Sequence, residues 1–68
     1  MKISYERLFQ LMKKRNIRKQ DLRDQVGLSP ATVAKLSKNE NVSMDVIVRL
    51  CSFFDCKIEK IVEVREEE

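Results

Sequence analysis

The sequence predicts an all-α domain, and three observations predict it. Apolar residues recur at helical spacing: Tyr5, Leu8, Phe9 and Met12 fall at i, i+3, i+4 and i+7, and Val46, Ile47, Leu50, Cys51 and Phe54 make a second stripe. The only glycine, Gly27, and the only proline, Pro30, stand three residues apart, between two short helical patterns. A length of 68 residues allows one domain with a small core.

The first helix is expected to begin after Ser4, whose hydroxyl suits an N-cap, with Glu6 in the first turn. Ile3 and Leu8 have hydrophobic-staple spacing across that start. Lys13, Lys14 and Arg15 lie near the negative helix end, where cations are favoured, and the helix is expected to end near Arg15. A short second helix follows, from about Arg18 to Val26, with Leu22 and Val26 facing the core beside Ile17. Arg18 is a poor cap.

Gly27 and Pro30 then do opposite jobs. Glycine adopts the left-handed conformation that closes a helix. Ser29 as N-cap and Pro30 as the first helical residue open the next one, because proline there gives up no useful N–H. Two short helices joined this tightly cross at a large angle, which is a helix-turn-helix, here spanning about 18–37. The third helix, about 30–37, turns Val33 and Leu36 inward. Ala31, Thr32, Ala34, Lys35 and Lys38 are left outside, on a face of small and basic side chains with no acid. Such a face suits the DNA major groove, about 12 Å wide. The plainer reading, a solvated helix, would mix Glu with Lys.

Asn39 to Val42 reads as a polar loop, and Ser43 caps a fourth helix with Asp45 in its first turn. Asp55-Cys56-Lys57 breaks that helix. Ile58 to Ile61 reads as one short helical turn, and Ile61 to Val64 as a helix end or a short edge strand. Residues 65–68 read as an acidic, frayed tail.

Charge separates the two halves. Residues 1–38 carry ten Lys/Arg against three Asp/Glu, a net +7, and residues 39–68 carry four against eight, a net −4. The first half suits a polyanion. Enzymatic chemistry has little to work with. There is no His, no glycine-rich phosphate loop, and two cysteines fall short of a structural zinc site, so neither catalytic residues, metal ligands nor a cofactor are expected. Cys51 and Cys56 read as core thiols, since a redox pair would favour C-x-x-C spacing. No apolar run is long enough for a membrane span, and charges from Lys2 onward argue against a signal peptide, so a cytoplasmic protein is expected.

The run LRDQVGLSPATVAKLSKNENVSMDVIVRLCSFFDCKIEKIVEV resembles the Cro/lambda-repressor-like helix-turn-helix regulators, the XRE family, and most of all its small single-domain bacterial and phage members. The likeness covers Tyr5 to about Val64. Leu22, Val26-Gly27, Ser29, Thr32-Val33 and Leu36 carry it, and Leu50-Cys51 to Ile61 strengthens it. The resemblance implies a compact five-helix domain whose third helix enters the major groove. Ser29, Pro30, Ala31 and Thr32 would then lie nearest bases and flanking phosphates, with Ala34 and Lys35 as the outward pair further along. Arg18, Lys19, Lys38, Asn39 and Asn41 would sit by the phosphate backbone. Lys19 stands where the family often has Gln, Arg23 where it has a small Ala at the helix crossing, Ser37 where many members have Glu, and Asn39 where many have Gly. Asn tolerates the left-handed conformation. With Pro30 and Ala31 offering no base-edge hydrogen bond, Lys35 is expected to do most of the direct reading, of a guanine.

The function expected from this reading is a sequence-specific transcriptional regulator, a repressor, bound to double-stranded DNA and through it to the nucleoid. One such helix specifies few base pairs, so a homodimer on a palindrome is expected, with half-sites about 34 Å apart. Ile58, Ile61, Val62 and Val64 are candidates for the dimer contact, or they simply cover their own core. A second reading makes the chain a protein-interaction module, such as an antitoxin whose DNA binding is autoregulatory.

Overall fold

A computed structural model describes residues 1–66. The elements in chain order are β1 (Lys2–Ser4), α1 (Glu6–Lys14), α2, α3 (Pro30–Ser37), α4 (Met44–Phe54), a 3-10 turn (Ile58–Lys60) and β2 (Glu63–Arg65). Helix α2 has two parts: an α-helical turn at Lys19–Asp21 runs into a π-helical turn at Leu22–Val26. The fold is therefore mostly helical, but it has four helices rather than five, and the segment near Ile58 closes only a 3-10 turn.

The strand alternative at the C-terminal end holds, and its partner is the N-terminus. β1 and β2 pair antiparallel, with Lys2 opposite Arg65, Ile3 opposite Val64 and Ser4 opposite Glu63. Two corrections follow. Ser4 is a buried strand residue and the N-cap of α1 is Tyr5, although Ser4 Oγ still accepts from the Glu6 N–H at 3.3 Å. Arg65 belongs to β2 and not to a frayed tail, while Glu67 and Glu68 lie outside the described residues. Side chains stitch this small sheet to α1: Arg7 pairs with Glu63 at 3.0 Å and Arg65 pairs with Glu6 at 2.6 Å.

The core gathers residues from all four helices. Leu8 and Met12 come from α1, Leu22 from α2, Val33 and Leu36 from α3, and Ile47, Leu50 and Phe54 from α4. Tyr5, Leu28 and Ile61 complete it. Leu28, in the turn between α2 and α3, joins the core although no periodicity marks it. Val26, Val46 and Cys51 are only half-buried at its edge.

Three helices end in the same way. Asn16, Asn39 and Asp55 follow α1, α3 and α4 with φ of 58°, 57° and 51°. Each sits in a Schellman turn, in which the next residue's N–H reaches back five positions: Ile17 to Met12 O at 2.8 Å, Glu40 to Lys35 O at 2.9 Å and Cys56 to Cys51 O at 3.1 Å. Only α2 uses glycine. Gly27 has φ 83° and bonds Leu22 O, and Leu28 N–H shares that carbonyl at 3.1 Å. The π turn lengthens that closing bond from five positions to six, and Leu28 beyond it is buried.

Candidate nucleic-acid interface

The turn before α3 is built as its residues require. Ser29 is extended at φ −69° and ψ 155°, and its Oγ accepts from the Thr32 N–H at 3.1 Å while donating to Thr32 Oγ1 at 2.9 Å. Pro30 follows as the first helical residue. The cap thus satisfies one of the free N–H groups at the helix start and orders the Thr32 hydroxyl. Ser29, Pro30, Ala31, Ala34 and Lys35 are exposed, and Thr32 is half-buried.

Helix α2 borders this face. Lys19 and Arg23, one turn apart, line a shallow cleft with Pro30, Ala34 and Ser37 of α3. Lys19 Nζ also lies 5.5 Å from the centre of the Phe9 ring, a cation–π contact that holds the ammonium beside α1. A second hollow brings Lys13, Arg18 and Lys19 together. At the other end of α3, Lys35, Asn39 and Asn41 share a hollow with Lys2 of β1. Lys38 is exposed at the α3 C-cap.

Asn39 has a further job. Its Oδ1 accepts from the backbone N–H of Tyr5 at 3.0 Å, and the Tyr5 hydroxyl donates to Glu40 O at 2.7 Å. The loop after α3 is thereby fastened to the start of α1. Burial raises the Tyr5 phenol above its ordinary pKa, against a smaller opposing pull from the backbone of Val42.

Electrostatics divides the surface. Among the described residues, ion pairs engage Arg7, Arg49 and Arg65 with Glu6, Asp45 and Glu63. Arg18, Lys19, Arg23, Lys35 and Lys38 have no carboxylate within ion-pair distance among those residues. The ion-paired acids stand on the sheet side and on α4, while Asp21 of α2 is taken up by the Arg18 N–H and the Gln25 amide, and the cations of α2 and α3 stay outside any ion pair.

Two site residues escaped the sequence reading. Arg23 and Lys2 line the same hollows as the candidates. Arg23 was within reach, since it stands four residues after Lys19 on one helix face. Lys2 was not, because its place depends on β1 pairing with β2. Of the apolar dimer candidates, Ile58 and Val64 are exposed and Val62 is half-buried. Ile61 is fully buried in the core and unavailable to a partner.

No helix among the described residues is long and apolar enough to cross a membrane. A family model for the Cro/C1-type HTH DNA-binding domain matches residues 7–67. The fold is similar to the crystal structure of the transcriptional regulator VanUg, form II, with a TM-score of 0.92 and 41% sequence identity over 97% of this chain and 88% of that one. No curated protein gives a significant match.

Proposed function

The chain belongs to the Cro/C1-type helix-turn-helix DNA-binding domain family, a family of binding domains and not of enzymes, and from that premise we propose that it is a transcriptional repressor that reads the DNA major groove with α3. The observation that carries this reading is the α3 surface itself. It exposes Pro30, Ala31, Ala34 and Lys35, carries no acid, and is bordered by Lys19 and Arg23. Short side chains let the helix axis approach the base edges, and the flanking cations meet the phosphates on either side.

Each residue has a role in this reading. Lys35 reads a guanine, and Ala31 or Thr32 touches a thymine methyl. Ser29 and the N-terminal turn of α3 face bases and a flanking phosphate. Arg18, Lys19, Lys38 and Asn41 neutralise or hydrogen-bond phosphates and give steep salt dependence. Asn39 contributes its free amide N–H groups, since its oxygen is occupied by Tyr5. A dimer on a palindrome supplies enough base pairs for specificity, with Ile58, Val62 and Val64 as the contact. Repression needs nothing beyond occupancy of the operator.

Selection of bound duplexes from a random DNA pool tests the reading. An enriched palindrome with half-site centres about 34 Å apart, one helical turn, is the expected result. A flat pool, with all binding lost by moderate salt, would leave only nonspecific attraction and overturn it.

A further inference from the structure

Cys51 and Cys56 are the chain's two cysteines, both free and half-buried. Their sequence spacing suggests no pairing, but the end of α4 brings them together. Asp55 takes the left-handed conformation at φ 51°, its N–H bonds Ser52 O at 3.3 Å, and Cys56 N–H bonds Cys51 O at 3.1 Å. In a Schellman turn, the residues joined by this longer bond commonly bring their side chains into contact across the turn. At the end of α1 the same two slots hold Met12 and Ile17, an apolar pair packed on the core. At the end of α4 they hold two thiols. The shared hydrogen bond keeps the two α-carbons near the roughly 4.4–6.8 Å that a disulfide spans.

We propose that Cys51 and Cys56 are a redox-active dithiol that a small-molecule disulfide closes to an intramolecular disulfide, fixing the end of α4 to the segment that carries Ile61 into the core. Closure takes two exchanges. One cysteine gives its proton to solvent, and its thiolate attacks a sulfur of the small disulfide, breaking that S–S bond and expelling one small thiolate. The second cysteine then loses its proton and attacks the protein sulfur of the mixed disulfide, expelling the other small thiolate. The two expelled thiolates take up two protons, the protein loses two electrons, and the small disulfide gains them. Burial, aided by neighbouring Cys51, raises the Cys56 thiol above its ordinary pKa, so the reduced pair rests protonated at Cys56. Neither cysteine is fully buried, which gives a small oxidant a path to the pair.

The test is to equilibrate the reduced full chain with glutathione buffers of graded ratio, block free thiols by alkylation and weigh the products. The expected product is a monomer lighter by two hydrogens, refractory to alkylation and restored by dithiothreitol. With only two cysteines in the chain, that species identifies the bond without further mapping. Cys51→Ser and Cys56→Ser should each gain one glutathione instead. The equilibrium constant for closure should be about tenfold or more larger in the folded chain than in denaturant, because the fold holds the pair together. A persistent mixed disulfide, a disulfide-linked dimer, double alkylation throughout, or equal constants with and without denaturant would each overturn the proposal.

Discussion

The backbone N–H of Tyr5 donates to the side-chain oxygen of Asn39 at 3.0 Å, joining residues 34 positions apart. Helix N-caps commonly receive this bond from a Glu or Gln three residues on. Here it comes from the loop that closes the candidate recognition helix. Asn39 also stands at φ 57°, so one residue both ends α3 and caps α1.

These two roles separate by mutation. Asn39→Gly keeps the left-handed backbone and loses the hydrogen bond, and should cost about 1 kcal/mol. Asn39→Ala loses the bond and also strains the backbone, and should cost about 2–3 kcal/mol. Urea denaturation of both variants measures the difference, and equal losses would mean that φ at this position carries no cost.

Tyr5 should make stability fall in alkali. Its folded pKa is raised by burial, so the folded chain holds the proton where the unfolded chain releases it. That stability is fully present below about pH 10 and declines as pH rises beyond it. Tyr5→Phe removes the hydrogen bond to Glu40 O and should cost about 1 kcal/mol at neutral pH. The gap between the two proteins should narrow above pH 10, and a constant gap would contradict the raised pKa.

Gly27→Ala tests strain without crowding. Nothing lies within 4 Å of a Cβ built there, yet φ is 83°. The substitution should cost about 1–2 kcal/mol from the left-handed backbone alone, and Gly27→Asn should cost less. A larger loss for Asn than for Ala would point to a contact at this site instead.

Ser29 separates folding from binding. Ser29→Ala removes the cap of α3 and should cost about 1 kcal/mol of stability. Ser29→Asp keeps a capping oxygen and should leave stability near the parent value, but its charge should repel phosphate and weaken DNA binding. Thermal melts and DNA titrations of the same samples read the two effects independently.

Lys35 and Lys19 should fail in different ways. Lys35→Ala should lose about 1–3 kcal/mol on the selected site and relax its sequence preference. Lys19→Ala should weaken all sequences alike and reduce the salt slope by about 1. Fluorescence titrations on selected and random duplexes at several salt concentrations distinguish them. Equal losses for Lys35→Ala on both duplexes would remove it from base reading.

Several features were legible because their causes are local. Gly27 and the Ser29-Pro30 start act within a turn, and the apolar stripes of α1, α3 and α4 follow from helical periodicity. Others were hidden because their causes are remote. Ser4 has the chemistry of a cap, yet pairing with Glu63 makes it a strand residue. Ile61, open in sequence to a dimer contact or to its own core, lies in the core, because the 3-10 turn before it folds the chain back over α1 and α4. Three-residue strands have no periodicity to read. They exist here because the two ends of the chain meet.

Residue order alone specified the helix-turn-helix, the acid-free outer face of its second helix and the basic first half of the chain. Those properties depend on neighbours within a few residues and on composition. Tertiary structure decided the rest: the sheet, the fastening of Asn39 to Tyr5, and the gathering of Lys2 with Lys35 and Asn41. These join distant residues, whereas the turn that sets Cys56 beside Cys51 is local and depends on one backbone angle that Asp permits but does not announce. Local sequence sets which conformations are cheap, and only the packed core selects among them.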